Sequence, residues 1–536
     1  MNTDFLHGVE ATEVNDGIRP IRTLKSSVIG LIGTAGKGSK NTPTLCTSLR
    51  DAVNKFGEWD DTDGFTIAGV LQSIYNQFKA TVVVINVTDP DTDQTAVTAE
   101  EITFGRFDRT AKTANRFISG VTNLTALKAP VRFPATAGAT VALPSGVTVD
   151  DVKSADGNTT YVSGTDYTFA AGVLTNLDAG IPEGATVLVE YSASLVEDTD
   201  YVVNSEAGEL TTVGTTGSKV LSQTTLTLDY SYVDPTAATG TEVIGGIDET
   251  TGDYEGVWAF LGAKSTLGLH PRVLLAPGFT SDKPDINTRN PVVAQLDILA
   301  HRMGATVLAD GPNTTDEEAV QYADDWGSDR IFVLDPHVRV KAPSGSIIEQ
   351  PYSAVMAGLI ARTDSEFGFW ASPSNKVIRG IVGTARPVEF ALNDANSRAN
   401  FLNEHNVTTI IEAGGYRSWG NRTTAADPKF SFLNIRRGAD IIQESILFAH
   451  LWAVDRNITK NYVETVVEGV NSYLRFLQTL GAVMGGRAWA DPEMNTPSVL
   501  SQGRLFIDFD FTVPYVAERI TFRAHLVDDY VTEIFD

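Results

Sequence analysis

One glycine-rich loop has the residue types of a phosphate-binding site. Residues Gly33 to Ser39 follow an apolar stretch and include three glycines and one lysine, and the backbone N–H groups of such a loop can hold a phosphate. A Walker-type loop, however, needs a glycine five residues before Gly36, where this chain has Leu31. It also needs a Ser or Thr directly after Lys37, where Gly38 stands. The sequence therefore predicts a flexible turn and no nucleotide site.

Residues that could act as nucleophiles or bind a metal are scattered along the chain. The sequence has neither the Gly-x-Ser-x-Gly motif of many hydrolases nor the His-Glu-x-x-His motif of zinc enzymes. No two histidines stand at the spacing of helical metal ligands; the seven are His7, His270, His301, His337, His405, His450 and His525. We therefore expect no enzyme, no cofactor and no metal site.

The acidic residues offer no better catalytic candidate. The pairs Asp324-Asp325 and Asp528-Asp529 lack the apolar neighbours that would raise a carboxyl pKa. Asp310 and Asp335-Pro336-His337 follow predicted strands, where α/β folds often bind ligands. Solvated loop residues would give the same pattern, so these positions alone do not indicate a site.

Composition and charge narrow the class of partner. The 536 residues are 42% apolar and 20% charged, which suits several globular domains. The net charge of −26 argues against nucleic acid, because binding a phosphate backbone needs a positive surface. Cys46 is the single cysteine, so no disulfide framework can form. With no signal peptide and no long apolar run, we expect folding in the cytoplasm and no membrane insertion.

Two stretches of the chain, 18–123 and 246–358, alternate strand and helix patterns. Such alternation with short loops is typical of a parallel sheet with helices on its faces, so we predict one discontinuous α/β domain. Its predicted strands lie at 27–33, 80–87, 272–276, 305–309 and 330–334, and its predicted helices at 69–78, 292–303, from 314 onward and at 353–362.

Residues 124–245 separate these two stretches and are predicted to form an all-β inserted domain. They are rich in Thr, Gly, Val and Asp, with short alternating runs. They hold 4 Lys/Arg against 15 Asp/Glu, whereas residues 359–525 hold 17 of each. An acidic module in a neutral frame is expected on the outside, although a β domain integral to the core is an alternative. Tyr167 and Tyr201 end similar tetrapeptides, which indicates a weak internal repeat.

Residues 359–526 are predicted to form an α+β core domain. Asp440 and Thr459 are expected to cap two helices, and Gly485-Gly486 to end the second. The first helix should bury Ile441, Ser445, Phe448, Ala449 and Trp452, and the second Val463, Val466, Val467, Val470, Leu474 and Leu477. Apolar residues at every second position predict strands over 505–513 and 520–526, on which the helices pack.

Both chain ends are strand-prone and have no partner left in the sequence. A free hydrophobic strand aggregates unless another chain receives it, so we predict arms at 1–17 and 527–536 that add to a neighbour's sheet. An edge strand of the same subunit, or a frayed end, is the alternative. The arm residues are Val9, Glu10, Ala11, Thr12, Val14, Tyr530, Val531, Ile534 and Phe535, and the receiving strand carries Leu505, Ile507, Phe509 and Phe511.

The predicted fold class is α/β and α+β multidomain: mixed sheets with flanking helices, an all-β inserted domain and extended terminal arms. Several runs outside the insert carry a family likeness, among them Phe5 to Glu10, Ser27 to Ala35, Trp419 to Thr423, Gly503 to Phe511 and Glu518 to Phe522. On these runs the chain resembles the tail sheath proteins of contractile-tailed bacteriophages.

This resemblance implies a helical sheath of stacked hexameric rings around a tail tube. It also implies arms that complete a neighbour's sheet, and contraction, triggered at the baseplate, that drives the tube through the host envelope to deliver the genome. The expected partners are further copies of the chain, the tail tube protein, and baseplate and tail terminator proteins. We expect the protein in the virion, assembled in the host cytoplasm. On the C-terminal helices, Glu464, Glu468 and Arg475 are candidate tube contacts.

Three other functions are alternatives to a phage tail sheath. An α/β enzyme would need a convergent pocket in the 257–340 sheet, and an adhesin or receptor-binding protein would use the β insert. The third is the sheath of a related contractile injection system, either R-type pyocin-like or part of a secretion system. The sequence does not separate this third function from a phage tail sheath.

Overall fold

A computed structural model describes residues 21–134, 138–177, 180–213, 219–221, 223–285 and 288–527. The first part of the chain is a strand and helix unit with its leading strand buried at every position, as expected where helices cover both faces of a sheet. The predicted strands and helix of this part are confirmed. Its elements are β1 (Val28–Gly33), β2 (Thr44–Cys46), α1 (Leu49–Phe56), α2 (Ile67–Gln77) and β3 (Thr81–Asn86).

The second part is a β region whose described residues form strands and no helix. Its elements are β4 (Gln94–Thr103), β5 (Thr110–Lys112), β6 (Ile118–Arg132), β7 (Thr140–Ala142), β8 (Thr148–Ser154), β9 (Thr160–Tyr161), β10 (Tyr167–Ala170), β11 (Val173–Asn176), β12 (Thr186–Ser192), β13 (Tyr201–Asn204), β14 (Glu209–Thr212) and β15 (Thr225–Val233). The predicted boundaries, 124 and 245, need correction. Strand β4 pairs with β15, so the β region spans 94–233, and residues 240–244 already belong to a helix of the next part.

The internal repeat of the β region is a nested duplication. Strands β10, β11 and β7 form one three-stranded sheet, and β13, β14 and β5 form a second with the same order. Asp166 accepts a hydrogen bond from the N–H of Val162 at 2.7 Å, and Asp200 accepts one from Val196 at 2.9 Å. The outer copy runs from β4 to β15 and the inner copy from β6 to β12. Both therefore share the six-stranded sheet β4-β15-β6-β12-β8-β9.

The third part returns to alternating strands and helices. Its elements are α3 (Gly240–Ile244), β16 (Gly246–Ile247), β17 (Tyr254–Glu255), α4 (Ala263–Leu267), β18 (Val273–Leu275), α5 (Pro291–Met303), β19 (Thr306–Asp310), α6 (Asp316–Asp324), β20 (Ile331–Leu334), β21 (Val338–Lys341), β22 (Ile347–Gln350), α7 (Tyr352–Phe367), β23 (Gly383–Thr384), α8 (Arg398–Glu404), β24 (Val407–Glu412) and β25 (Tyr416–Trp419). The predicted strands and helices of this part are confirmed.

One eight-stranded sheet joins the first and third parts in the order β2-β3-β1-β18-β19-β20-β24-β25. The inner six strands are parallel, and the edge strands β2 and β25 are antiparallel. Helices α1, α2 and α7 bury one face and α3, α5 and α6 the other. The predicted boundary at residue 358 therefore lies too early, because β24 and β25 belong to this sheet.

The fourth part holds the C-terminal helices and a small sheet: α9 (Leu433–Ala449), α10 (Lys460–Thr479), β26 (Gly485–Trp489), α11 (Pro497–Ser501) and β27 (Asp508–Thr512). The Thr459 cap is confirmed, since its side chain accepts a hydrogen bond from the N–H of Tyr462. The predicted stop at Gly485-Gly486 is wrong: α10 ends at Thr479, and these glycines begin β26. Val466, Val470, Leu474 and Leu477 are buried as predicted, whereas Val463 and Val467 are only partly buried.

The prediction that Asp440 caps a helix is wrong. Asp440 lies in the middle of α9, where its two carboxylate oxygens accept hydrogen bonds from Arg330 at 2.7 and 3.0 Å and from Arg436 at 2.6 Å. All three side chains are buried, so the carboxylate satisfies two guanidinium groups that could not stay unpaired. This cluster attaches α9 to the eight-stranded sheet at the start of β20.

The predicted strand over 505–513 is confirmed as β27, whereas the predicted strand over 520–526 is wrong. Strand β27 pairs antiparallel with β26, while residues 513–527 form no strand at all. The alternation at 520–526 has the pattern of a strand, yet this segment pairs with no strand of the described chain, and β27 is bonded along one edge only, by β26. The free C-terminal segment therefore begins well before the predicted residue 527.

Candidate assembly surfaces

The glycine-rich loop after β1 seats a phenylalanine ring. The Asn86 side chain accepts a hydrogen bond from the N–H of Ala35 at 2.9 Å and donates to the carbonyls of Ala35 and Gly38, both at 3.2 Å. Phe117 from the β region lies against Gly36, where an added Cβ would stand 2.2 Å from the ring. The absence of a side chain at Gly36 thus allows the β region to pack on the loop.

Arg116 completes this joint between the β region and the sheet. Its guanidinium donates to the Asp63 carboxylate at 2.8 Å and to the Glu58 carbonyl at 3.1 Å, and its Nε donates to the Glu206 carbonyl at 3.2 Å. Burial raises the pKa of Asp63 to about 6, and the charge of Arg116 only partly opposes this rise. A backbone hydrogen bond from Phe65 also favours the ionised form.

The acidic residues at the ends of β19 and β20 are buried, so they are not solvated loop residues. Asp310 accepts hydrogen bonds from the N–H and hydroxyl of Ser353, at 2.7 and 2.5 Å, at the start of α7. Burial raises the pKa of Asp310. Asp335 accepts from the N–H of Asn313 at 2.9 Å and pairs with Arg386. The protein's own groups therefore fill the edge where an α/β enzyme would hold its ligand.

The side chains that could react or bind a metal are not arranged for either role in the described residues. Cys46 is fully buried, and burial raises the pKa of its thiol to about 12. Within the described ranges, no group of three or more His, Cys, Asp or Glu residues is arranged to hold a metal ion. In the same part of the chain, no helix combines the length and apolar character needed to cross a membrane.

The sheet of β26 and β27 has one open edge in the described chain. The outer edge of β26 is covered, because Ala488 donates to the Asn471 side chain at 2.7 Å and accepts from it at 3.1 Å. Ala488 therefore cannot bond its register partner Phe509. Phe509, and Phe511 two residues on, turn their backbone groups to the other edge of β27.

The predicted receiving residues lie at this open edge or just before it. Phe509 and Phe511 belong to β27, and Leu505 and Ile507 precede the strand. All four are half-buried; Ile507, Phe509 and Phe511 pack on the C-terminal core with Val513. The side chains thus fix the strand to its own subunit while its edge remains open for pairing.

The C-terminal segment 513–527 leaves this core and becomes exposed. Val513 is buried and Glu518 pairs with Arg422 at 2.6 Å, but every residue from 517 to 527 is exposed. Ile520, Phe522 and Leu526 are 70%, 91% and 102% exposed. Exposed apolar residues at alternate positions are typical of a segment that becomes a strand when it pairs with a sheet.

The beginning of the described chain is anchored in the same core. Ile21 packs among the residues of α9 and α10, Thr23 hydrogen-bonds the Tyr473 hydroxyl at 3.1 Å, and the N–H of Leu24 donates to Ser445 at 3.1 Å. The predicted arm residues Val9, Glu10, Ala11, Thr12, Val14, Tyr530, Val531, Ile534 and Phe535 lie outside the described residues.

The candidate tube contacts lie on the exposed side of α10. Glu464 pairs with Lys460 at 3.8 Å, and Glu468 pairs with Arg475, so their charges are satisfied within the subunit. The prediction that Phe448 is buried is wrong: it is 41% exposed, and Leu447 and Leu451 beside it are 72% and 74% exposed. The helical spacing places Phe448 on the same face as the buried residues of α9. The spacing does not show that the core ends at Ile446, so the exposed apolar residues 447, 448 and 451 could not be predicted.

Two known domain families match the chain from residue 248 to residue 526. Residues 248–424 match the phage tail sheath protein central domain, and residues 425–526 match the phage tail sheath C-terminal domain. Over 549 aligned residues, 99% of this chain and 98% of the relative, the chain is 32% identical to the tail sheath protein of Burkholderia phage BcepMu. The chain belongs to the tail sheath proteins of contractile-tailed bacteriophages.

A second relative and a solved structure extend the likeness of this sheath protein. It is 44% identical, over 56% of its own length and 76% of the relative, to a prophage major tail sheath protein of Pseudomonas aeruginosa (strain UCBPP-PA14). It shares the fold of the PVC sheath, from an extracellular contractile injection system in the contracted state, with a TM-score of 0.52 and 13% identity over 98% of both chains. The matched domains meet at residue 424, a few residues after the end of β25.

Proposed function

We propose that this sheath protein polymerises as stacked hexameric rings around a tail tube and contracts to drive the tube through the host envelope during genome delivery. Family membership supports the sheath role, and the open edge of β27 beside a free amphipathic segment supports the assembly mode. The subunit would work as a structural element, without catalysis or a cofactor. It would be part of the virion and would assemble in the host cytoplasm.

The subunits would be joined by strand addition. The segment 519–536 of one copy, with its arm residues Tyr530, Val531, Ile534 and Phe535, would pair with the open edge of β27 in a neighbour. The arm at 1–17 would add a further strand. Each backbone hydrogen bond contributes only about 0.5–1.5 kcal/mol net, so the strength of the lattice would come from repetition over many copies.

The remaining surfaces would have separate roles. The β region 94–233 would form an outer domain, since it is acidic and its strands form sheets separate from the eight-stranded sheet. Residues Glu464, Glu468 and Arg475 on α10 would face the tail tube protein. Contacts to the baseplate would trigger contraction, and a tail terminator protein would close the far end of the sheath.

Electron microscopy of the purified protein tests the proposal. We expect hollow striated cylinders from the intact chain, and folded subunits without cylinders after deletion of residues 1–16 or 528–536. Circular dichroism and size-exclusion chromatography would establish that the deleted chains are folded. Normal cylinders from either deletion would refute the arm mechanism, because the deleted strand would then be dispensable.

The sheath of a related contractile injection system is the second candidate, favoured by the shared fold with the PVC sheath. The full-length identity to a phage tail sheath favours the phage function. Particles purified with this protein would distinguish the two, since a phage tail is attached to a head filled with DNA.

A further inference from the structure

The C-terminal segment is held at two points before it becomes free. The carbonyl oxygen of Pro514 accepts a hydrogen bond from the Asn434 side chain at 3.3 Å, directly after the buried Val513. Four residues later, Arg422 donates three hydrogen bonds to the Glu518 carboxylate, at 2.6, 2.9 and 3.0 Å. The two residues are 96 positions apart in the sequence, so the pair ties distant parts of the subunit together.

Arg422 is itself held in position by aromatic side chains. Its guanidinium lies 5.0 Å from the centre of the Phe432 ring, and Phe432 makes an edge contact with Tyr515 at 6.3 Å between ring centres. The backbones of Arg422 and Phe432 also form an isolated antiparallel bridge. A stacked, planar guanidinium has lost much of its freedom, which favours a bidentate contact to a carboxylate.

Beyond the Tyr515 contact, residues 516–518 are not tightly packed against the body of the subunit. A cavity of about 660 Å³ lies beneath it, lined by Ser374, Asn403, Trp419, Val516 and Glu518 among others. Because residues 516–518 border a cavity, the direction in which the segment leaves depends on the ion pair. Beyond Glu518 the segment is exposed at every described position.

We propose that Arg422 and Glu518 form a latch that fixes where the C-terminal segment leaves the subunit, so that the linking strand starts at Arg519. This inference rests on the proposed function, in which that strand pairs with a neighbouring copy. A fixed exit point reduces the conformational entropy that is lost when the strand reaches its partner. Arg422 is therefore a positioning residue for assembly.

Chymotrypsin digestion of the unassembled protein tests the latch directly. Tyr515 lies between the two anchor points, whereas Phe522 lies beyond them, and neither position is altered by the substitutions. In R422Q and E518Q we expect cleavage after Tyr515 to be roughly fivefold faster than in the unsubstituted protein. Cleavage after Phe522 should not change. R504Q, which removes another exposed arginine, is the matched control and should leave both rates unchanged.

The charge-swapped variant R422E/E518R distinguishes an ion pair from a simple loss of packing. It should bring the Tyr515 cleavage rate back to within about twofold of the unsubstituted protein and restore sheath yield, which we expect to fall in R422Q. Equal Tyr515 rates in R422Q and in the unsubstituted protein would overturn the latch. So would a swapped variant that is cleaved as fast as R422Q.

A chain that ends at Glu518 separates this inference from the proposed function. It keeps the latch and lacks the linking strand, so it should protect Tyr515 and fail to form sheaths. If it assembles normally, the strand-addition mechanism is wrong, while the digestion of R422Q still decides whether the latch exists. If it fails to assemble and R422Q shows no faster cleavage, the mechanism stands and the latch is wrong.

Discussion

Asp63 combines a buried carboxylate with an arginine partner at the joint of the β region. Folding raises its pKa from the ordinary 3.8 to about 6, so between these values the folded chain holds a proton that the unfolded chain has released. The contribution of Asp63 to the free energy of unfolding must then fall as the pH rises from about 4 to about 6.

Substitution of Asp63 by Asn removes this titration. We expect the melting temperature of D63N, relative to the unsubstituted protein, to increase from about pH 4 to about pH 6 and to level off above that. Thermal unfolding followed by circular dichroism across this range measures the difference. A difference that does not change with pH would mean that the Asp63 pKa is the same in the folded and unfolded chains.

Cys46 gives a second test at the level of single residues. Its thiol is buried and its pKa is about 12, and only the thiolate reacts with alkylating reagents. We expect no labelling by iodoacetamide in the folded protein at about pH 8, and complete labelling in denaturant, as measured by mass spectrometry. Because the chain has no other cysteine, any labelling of the folded protein would contradict the burial of β2.

At the level of elements, the β region is attached to the loop after β1 through the contact between Phe117 and Gly36. In G36A the added Cβ would stand 2.2 Å from the Phe117 ring, so the ring must move. We expect a loss of roughly 1–3 kcal/mol in stability and faster hydrogen exchange in residues 104–117. G327A is the control, since nothing lies within 4 Å of its added Cβ.

The double variant G36A/F117A checks the cause of this effect. With the ring removed, the alanine at position 36 has nothing to displace, so the two substitutions should be clearly less than additive. If G36A behaves like G327A, or if the two effects simply add, the glycine-rich loop is not the seat of Phe117.

Elements with a strong local pattern could be predicted from the sequence. The inner strands of the eight-stranded sheet are short apolar runs that indicate buried strands whatever surrounds them. Thr459 caps its helix through a hydrogen bond to a residue three positions away. The role of Asp440 could not be predicted from its neighbours in the sequence. Its role depends on Arg330, which is 110 residues away, so its local pattern as a possible cap was misleading.

The limits of the β region and the C-terminal segment were missed for a related reason. Strand β4 is mostly exposed and precedes the change in composition, so only its pairing with β15 identifies it. The alternation at 520–526 was recognised, but a sequence does not tell whether the sheet that receives a strand lies in the same chain. Arg422 and Glu518 each lie in a run that carries the family resemblance, but their contact is visible only in three dimensions.

At the scale of the whole molecule, both described ends of the chain arise from one core. Ile21 and Val513 pack together with α9 and α10, and the cluster around Asp440 attaches that core to the eight-stranded sheet. Under the proposed function, a subunit built in this way would rotate as one body while its ends keep their links to neighbours. The account therefore depends on the C-terminal segment being completed by another copy.

Electron microscopy of the chain that ends at Glu518, beside the intact chain under the same conditions, tests this dependence most directly. The truncated protein keeps every element described here and loses only the segment beyond the latch. We predict long hollow cylinders from the intact chain, and folded, dispersed subunits from the truncated one. Cylinders of normal length from the truncated chain would contradict the account, because the sheath would then be held together by other contacts.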